Sequence, residues 1–373
     1  MSSYRPPVWP DPNDELLLRA ALLDGEDAVS AWRQWHAGAC YDPIDYTQQR
    51  MLPLLYNNLQ RLGVDDPIMG RYRQELRYFW AINQQLYQFA ARNIRELEQQ
   101  NIRSLVMKGI PLSHCYYAHP GLRPMSDVDI LVHREDAEAA THYCLDQNWV
   151  CTDDFISSFD NLKSLLSIRH GFNLRGPGDE KEIDLHWAIF PTTFHSLDTI
   201  WDAAVTFELA GCTMTTLSPA DHLLQACSQG AGWNIVRPIR WIPDANAILA
   251  TGSVDWDRFV EQANRFDLAL PAGDALIVLR DLLGLEIPHK VVERLQALPT
   301  SFTARMDYRL GARRPIPVIG RPLQRYFRYL RVGRSQGLGF GKYMKNLWGV
   351  PSVAGMFTKG IRRIWADTFG KKV

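Results

Sequence analysis

The chain has 373 residues, room for two or three domains of ordinary size. A hydrophobic fraction of 46% and a charged fraction of 22% exclude a disordered or collagen-like chain, and no run of about 18 apolar residues is present to span a bilayer. The net charge of zero hides a split: residues 301–373 hold 16 Lys/Arg against 2 Asp/Glu, so the remainder is acidic, with 25 basic against 39 acidic residues. Such a basic tail predicts an anionic partner, or docking on the acidic body of its own chain. The opening MSSYRPPVWPDPND has no basic start followed by an apolar core, so no secretory leader is expected. Six scattered cysteines without a C-x-x-C spacing predict reduced thiols in a cytoplasmic protein, not a disulfide framework or a zinc site.

Residues 1–100 read as a helical region after a Pro-rich lead-in. Its strongest stretch runs from Arg71 to Gln100, where Leu76, Phe79, Ile82, Leu86, Phe89, Ile94 and Leu97 recur mostly at three- and four-residue steps. The pattern changes at Ile102. I-R-S-L-V-M-K-G predicts a strand running into a turn at Gly109, followed by a short helix over 110–118. H-P-G-L-R-P reads as a loop. S-D-V-D-I-L-V-H predicts a second strand, and R-E-D-A-E-A-A-T-H-Y-C-L-D-Q-N-W a helix. S-I-R-H-G-F-N-L-R-G and K-E-I-D-L-H-W-A-I-F predict two antiparallel strands about a G-P-G-D-E turn. From Leu197 helices are expected to return; Ser218-Pro219-Ala220-Asp221 has the cap, the proline and the acid of a helix start. The expected architecture is α+β: a small mixed sheet over 101–196, flanked by the N-terminal helical region 1–100 and a helical domain 197–300, with a basic aromatic tail over 301–373.

Asp127 and Asp129 stand two apart in an apolar strand, so both project from one face, with Val128 on the other. Two carboxylates about 4 Å apart at an effective dielectric near 20 repel by about 4 kcal/mol. Either one keeps a proton or a cation neutralises them. In K-E-I-D-L-H-W, Glu182, Asp184 and His186 share one strand face. A third carboxylate in the same small unit, Asp184, points to a site for a hard dication, which takes oxygen ligands and substrate phosphates. Lys108-Gly109 closes the strand before the acid pair: glycine admits close approach of a phosphate and lysine supplies a point charge. Arg123 and Ser126 flank the pair and could bind phosphate oxygens. His170 and His186 are candidates either for acid–base work or for a structural hydrogen bond. Asp244, in R-W-I-P-D-A, is placed either facing the cleft or capping the helix that follows it.

These features together resemble the DNA polymerase β-like nucleotidyltransferase superfamily: a strand ending in Gly, a short helix, an apolar D-x-D strand, then a later strand with one more acid. L-V-M-K-G-I-P-L, G-L-R-P-M-S-D-V-D-I-L-V and I-D-L-H-W are similar to a poorly characterised bacterial nucleotidyltransferase family with "KG", "RPMSDIDLLV" and "LHW" signatures. The resemblance spans about 45–300. It departs from the wider superfamily at the turn, usually Gly-Ser or Gly-Gly and here Lys-Gly, and in the long gap from Gly109 to Asp127. The resemblance implies a metal triad of Asp127, Asp129 and Asp184, with Mg²⁺ (or Mn²⁺) as cofactor and an NTP as donor substrate. It further implies transfer of a nucleoside monophosphate to an acceptor hydroxyl with release of pyrophosphate. The acceptor is open: a protein, a peptide or a small molecule.

In the tail, R-Y-F-R-Y-L-R (325–331) interleaves arginine with aromatics, and Val353, Phe357, Ile361, Ile364 and Trp365 share a helical face. This predicts docking on the body of the chain, or contact with an anionic membrane surface peripheral to its cytoplasmic face, with nucleic acid less favoured. G-L-G-F-G-K (337–342) lacks the Ser/Thr and the preceding strand of a phosphate loop. Two rivals share some features. A D-x-D glycosyltransferase also uses acids, a dication and a nucleotide, but requires a longer βαβ half before its acids. A catalytically silent scaffold of the same fold would bind no NTP.

Overall fold

Seven strands form one mixed sheet in the order β3-β4-β5-β2-β1-β7-β6. They are β1 (Ser104–Met107), β2 (Asp127–Val132), β3 (Val150–Cys151), β4 (Gly171–Arg175), β5 (Glu182–His186), β6 (Val205–Leu209) and β7 (Cys212–Thr216). The structure is a computed structural model and describes residues 5–39, 45–153, 159, 162–178, 181–190, 196–230, 239–312, 326–327, 329–330, 339–348 and 355. The protein is thus α+β, with helices before, around and after a mixed sheet. The central strand β2 lies antiparallel to β1 and parallel to β5. β4 pairs antiparallel with β5, as the sequence pattern predicts, although it begins only at Gly171. The preceding Leu162–Ile168 is helical.

Strand alternation divides the sheet into two differently covered faces. Val106, Val128, Ile130, Ile183 and Leu185 pack against Leu86, Phe89 and Ile94 of the helix Met69–Gln99. Leu105, Met107 and Leu131 point the other way, into the larger core formed with Leu223, Ile248 and Leu276 of the C-terminal helices. Each such side chain contributes about 1.5–3 kcal/mol on burial. Asp127 and Asp129 share the parity of Leu131, so the acid pair faces the helical layer.

The 31-residue helix Met69–Gln99 also fixes the loop that leads into β2. Buried Asn83 donates from Nδ2 to the carbonyls of Pro120 (2.6 Å) and Arg123 (2.8 Å). Gly121 is required there: a Cβ would stand 2.7 Å from the Leu76 carbonyl oxygen.

The β6–β7 hairpin departs from the expectation of helices from Leu197 onward. V-T-F-E-L and C-T-M-T-T alternate with a period of two, and β7 joins β1 in parallel at Val106 and Thr216. The turn residues Ala210 and Gly211 both have positive φ, +51° and +65°, the two-residue turn geometry that matches strand twist. Alanine in that conformation costs about 1–2 kcal/mol, which explains why Ala-Gly is a faint turn signal. The sheet therefore extends to Thr216, and the helix Pro219–Gly230 begins directly after it, with the Asp221 amide donating to Ser218 Oγ at 3.3 Å.

Candidate functional site

Parallel pairing of β2 with β5 sets Asp129 opposite Asp184, and His186 follows two residues on, on the same face. Antiparallel pairing with β1 sets Asp129 opposite Met107, the residue before Lys108. Asp127, Asp129, Asp184, His186 and Lys108 consequently line one cavity of about 610 Å³ between the sheet and the helical layer. The sequence-predicted acids are therefore brought onto one wall.

Asp129 is the hub. Lys108 Nζ forms an ion pair with its Oδ1, and His186 Nε2 lies 3.0 Å from the same oxygen. Burial alone would raise the Asp129 carboxyl; Lys108 and then His186 overcome burial and hold it well below the usual carboxylate range. Burial works against charge on Lys108 too, and Asp129 followed by Asp184 outweigh it, so the ammonium is retained. Lys108 adopts φ +54° and ψ −111°, a backbone geometry that L side chains rarely take. Strain of this kind persists where the surroundings over-determine it; the Asp129 ion pair and the close of β1 do so here.

His186 is held neutral by burial and by the nearby Lys108. A neutral ring whose Nε2 meets a carboxylate must carry its proton there, so Nε2–H donates to Asp129. Nδ1 is then a lone pair, buried and without a hydrogen-bond partner. Gly171 on β4 makes room for it, since a Cβ there would stand 2.8 Å from Nδ1.

Asp184 has the opposite fate from Asp129. Burial, then the charges of Asp129 and Asp127, push its carboxyl up to about 8. Three acids with one lysine among them leave the wall short of positive charge. Ligand atoms of Asp129, Asp184 and His186 lie within 4.8 Å of one another; with the imidazole proton on Nε2, the two carboxylates are the donors that suit a divalent cation, and His186 orients one of them. Asp127 lies outside that group; it is half-buried, with Ser126 Oγ 3.4 Å from its Oδ1.

Arg123 is engaged differently from the expectation. Its Nε and Nη2 donate to the two oxygens of Asp244 at 2.8 and 2.9 Å. Tyr117 also donates to Asp244, at 2.7 Å. Asp244 therefore does not cap: it lies inside the helix Trp241–Leu249, whose N-cap position is Arg240, and is buried against Arg123 and Tyr117. Gly109 is buried, and a Cβ there would meet Met125 Sδ at 3.0 Å and Arg123 Nη1 at 3.4 Å, so its smallness admits the Arg123 segment. Ser126 is exposed.

Two arginines absent from the sequence reading also line the cavity. Arg50 Nη2 and Arg240 Nη1 both donate to the carbonyl of Pro124, at 3.0 and 2.7 Å. Arg240 had a local signal, standing four residues before Asp244 and so on its helical face. Arg50 had none, since it arrives from 74 residues away.

The tail contributes Tyr329, Tyr343 and Leu347 to the cavity lining. Phe340–Trp348 is a helix packed against Leu162–Ile168, so G-L-G-F-G-K runs into a helix. The aromatic face predicted over 353–365 lies outside the described residues.

A fold with a D-x-D strand beside a third carboxylate, over a cavity edged with cations, is that of a nucleotidyltransferase. Residues 46–284 match the family described as uncharacterised nucleotidyltransferase. That is more than half of the chain, and the chain belongs to this family. A search of curated proteins finds no match. Among solved structures, an antigenic nucleotidyltransferase-like protein from Paracoccidioides brasiliensis is similar at 19% identity, covering 61% of this chain and 95% of that one, with a TM-score of 0.34. At that score the likeness bears on neither mechanism nor substrate.

Proposed function

We propose that the protein transfers a nucleoside monophosphate from an NTP to an acceptor hydroxyl, with Asp127, Asp129 and Asp184 as the acidic machinery and Mg²⁺ or Mn²⁺ as cofactor. The observation that carries the reading is the convergence of Asp129, Asp184 and His186 on adjoining strands, with Lys108 the one cation among the described residues in direct contact with them. The carboxylate oxygens of Asp129 and Asp184 fit a hard dication, and the raised Asp184 carboxyl marks the charge deficit it would fill. Such an ion, when bound, offsets charge on the transferring phosphoryl group and acidifies the attacking hydroxyl.

In this reading the acceptor oxygen bonds to the α-phosphorus, the bond from that phosphorus to the bridging oxygen breaks, and pyrophosphate leaves. Asp184, its own proton displaced when a dication binds, takes the hydroxyl proton. Asp129 stays ionised, and His186 holds its orientation through Nε2–H. Lys108 is shared between Asp129 and the phosphates. Gly109 and Arg123 shape the wall beside it, and Ser126 offers a hydroxyl at its rim. The described tail helices sit against the body and line the cavity, which favours docking of residues 301–373 on the chain itself over an anionic membrane surface. The five cysteines among the described residues are free thiols, which suits a cytoplasmic setting. No helix among the described residues is long and apolar enough to cross a membrane.

The test is incubation with each α-labelled NTP, Mg²⁺ and cell extract. Labelled acceptor should form with the native chain and fall at least a hundredfold with Asp129→Asn. Undiminished labelling by that variant would refute the reading.

A further inference from the structure

A second charged cluster lies in the same cavity, beside the acids. Arg50 comes from the N-terminal helical region, Arg240 from the start of the helix Trp241–Leu249, and Arg123 from the loop before β2. Asp244 is the carboxylate in direct contact with this group, and it is bound to Arg123 and Tyr117. Arg50 and Arg240 share one hydrogen-bond acceptor, the neutral Pro124 carbonyl, and the Arg50 guanidinium also lies over the Tyr46 ring at 5.1 Å. Arg50 Nε is buried with no hydrogen-bond partner. Burial, then the charges of Arg50 and Arg123, push Arg240 down to about 9. Asp127 and Asp244 attract both arginines electrostatically, so they neighbour the D-x-D strand.

A fold that draws two guanidiniums onto one carbonyl, without a carboxylate for either, carries a cost in the empty state. The cost is relieved by an anion with several oxygens. Forked guanidinium donors match phosphate geometry, and two of them side by side match more than one phosphate group. A single phosphate or sulfate would satisfy one fork and leave the other.

We propose that Arg50 and Arg240 form a polyphosphate subsite, the seat of the terminal phosphates of the donor nucleotide and of the pyrophosphate product. The proposal rests on the nucleotidyltransferase reading for its ligand, but places the phosphates on two segments outside the Lys108-Gly109 turn. The cavity is then bipolar. Its acidic wall serves the α-phosphate and the acceptor, and its arginine wall holds the leaving group. Arg123 stays with Asp244 and joins the two helical layers to the core.

The probe is inorganic tripolyphosphate in the presence of a chelator, so that binding needs no dication. Calorimetry on the full chain should show tripolyphosphate and pyrophosphate binding at least tenfold more tightly than sulfate or orthophosphate. Arg50→Gln and Arg240→Gln should each weaken tripolyphosphate binding about tenfold, and the double variant about a hundredfold. Thermal stability of the ligand-free variants should hold or rise, because an unmatched buried charge is gone; a merely structural role would lower it. Arg50→Lys and Arg240→Lys keep the charge without the fork and serve if the Gln variants do not fold. They should fall between the native chain and the Gln variants. Asp129→Asn should still bind tripolyphosphate in chelator while losing nucleotide transfer, which separates the subsite from the catalytic reading. Native affinity in the Gln variants, or in the Lys variants if those alone fold, overturns the proposal. So does equal affinity of the native chain for sulfate, or no binding of any polyphosphate. Tripolyphosphate binding lost with both arginines, in a chain that transfers no nucleotide, would support the subsite and refute the transferase reading alone.

Discussion

Replacing Asp244 by Asn removes the charge that matches Arg123 while keeping the shape. The pair is buried, with side chains 8% and 4% exposed, and bidentate at 2.8 and 2.9 Å. Removing one partner of a buried ion pair costs about 3–5 kcal/mol, because the remaining charge is stranded. Arg123 lines the cavity and can borrow solvent there, so the lower end, about 3 kcal/mol, is expected. Tyr117→Phe removes one 2.7 Å hydrogen bond to the same carboxylate and should cost about 1.5 kcal/mol. The joint replacement Arg123→Met with Asp244→Leu should recover most of the loss, since apolar pairs often substitute for buried ion pairs. Urea denaturation of the native chain, Arg123→Met, Asp244→Leu and their joint variant gives the double-mutant cycle, and a coupling energy of about 2–3 kcal/mol is expected. A cost below about 1 kcal/mol for Asp244→Asn, or simple additivity in the cycle, would refute the argument that this cluster ties the helical layer to the sheet.

Three further outcomes follow from the structure. The folded protein raises the Asp184 carboxyl to about 8 from 3.8, so the native state binds that proton more tightly than the unfolded chain does. Its contribution to stability is complete below the unfolded value and is lost as pH rises through about 8. In chelator, urea midpoints should therefore fall between pH 5 and 9, and less steeply in Asp184→Asn. Binding of Mn²⁺ must displace the proton, so its apparent affinity should climb about tenfold per pH unit below that point; a flat profile would contradict the assignment. Ala210→Gly relieves an alanine held at φ +51° and should stabilise the chain by about 0.5–1 kcal/mol. No gain in urea midpoint would mean that the hairpin turn is not strained.

The sequence made the core of the sheet legible because β1, β2 and β5 are apolar runs whose acids stand at positions that strand alternation places on one face. That period alone groups Asp127 with Asp129; Asp184 joins them by its place in the same small unit and by the family resemblance, and it is the pairing of β2 with β5 that sets Asp129 opposite Asp184. His186 shared the same face, yet its neutrality and its tie to Asp129 depend on burial and on Lys108, which no local pattern reports. The β6–β7 hairpin was hidden by a turn without Asn-Gly or Asp-Gly, although its threonines and alternation favour strand. Arg123 read as a phosphate ligand because its partner, Asp244, lies 121 residues on. Arg50 is the plainest case: an arginine at the end of a four-residue helix becomes part of the cavity only when two distant segments close over Pro124.

Diffraction from crystals soaked with Mn²⁺ and a non-hydrolysable NTP analogue, with anomalous scattering locating the metal, tests the central claim most directly. The account predicts an anomalous peak in coordinating distance of Asp129 and Asp184, with the nucleotide's phosphates in the cavity they line. A nucleotide bound elsewhere on the chain, or a saturating soak that leaves those two carboxylates without metal, would contradict it.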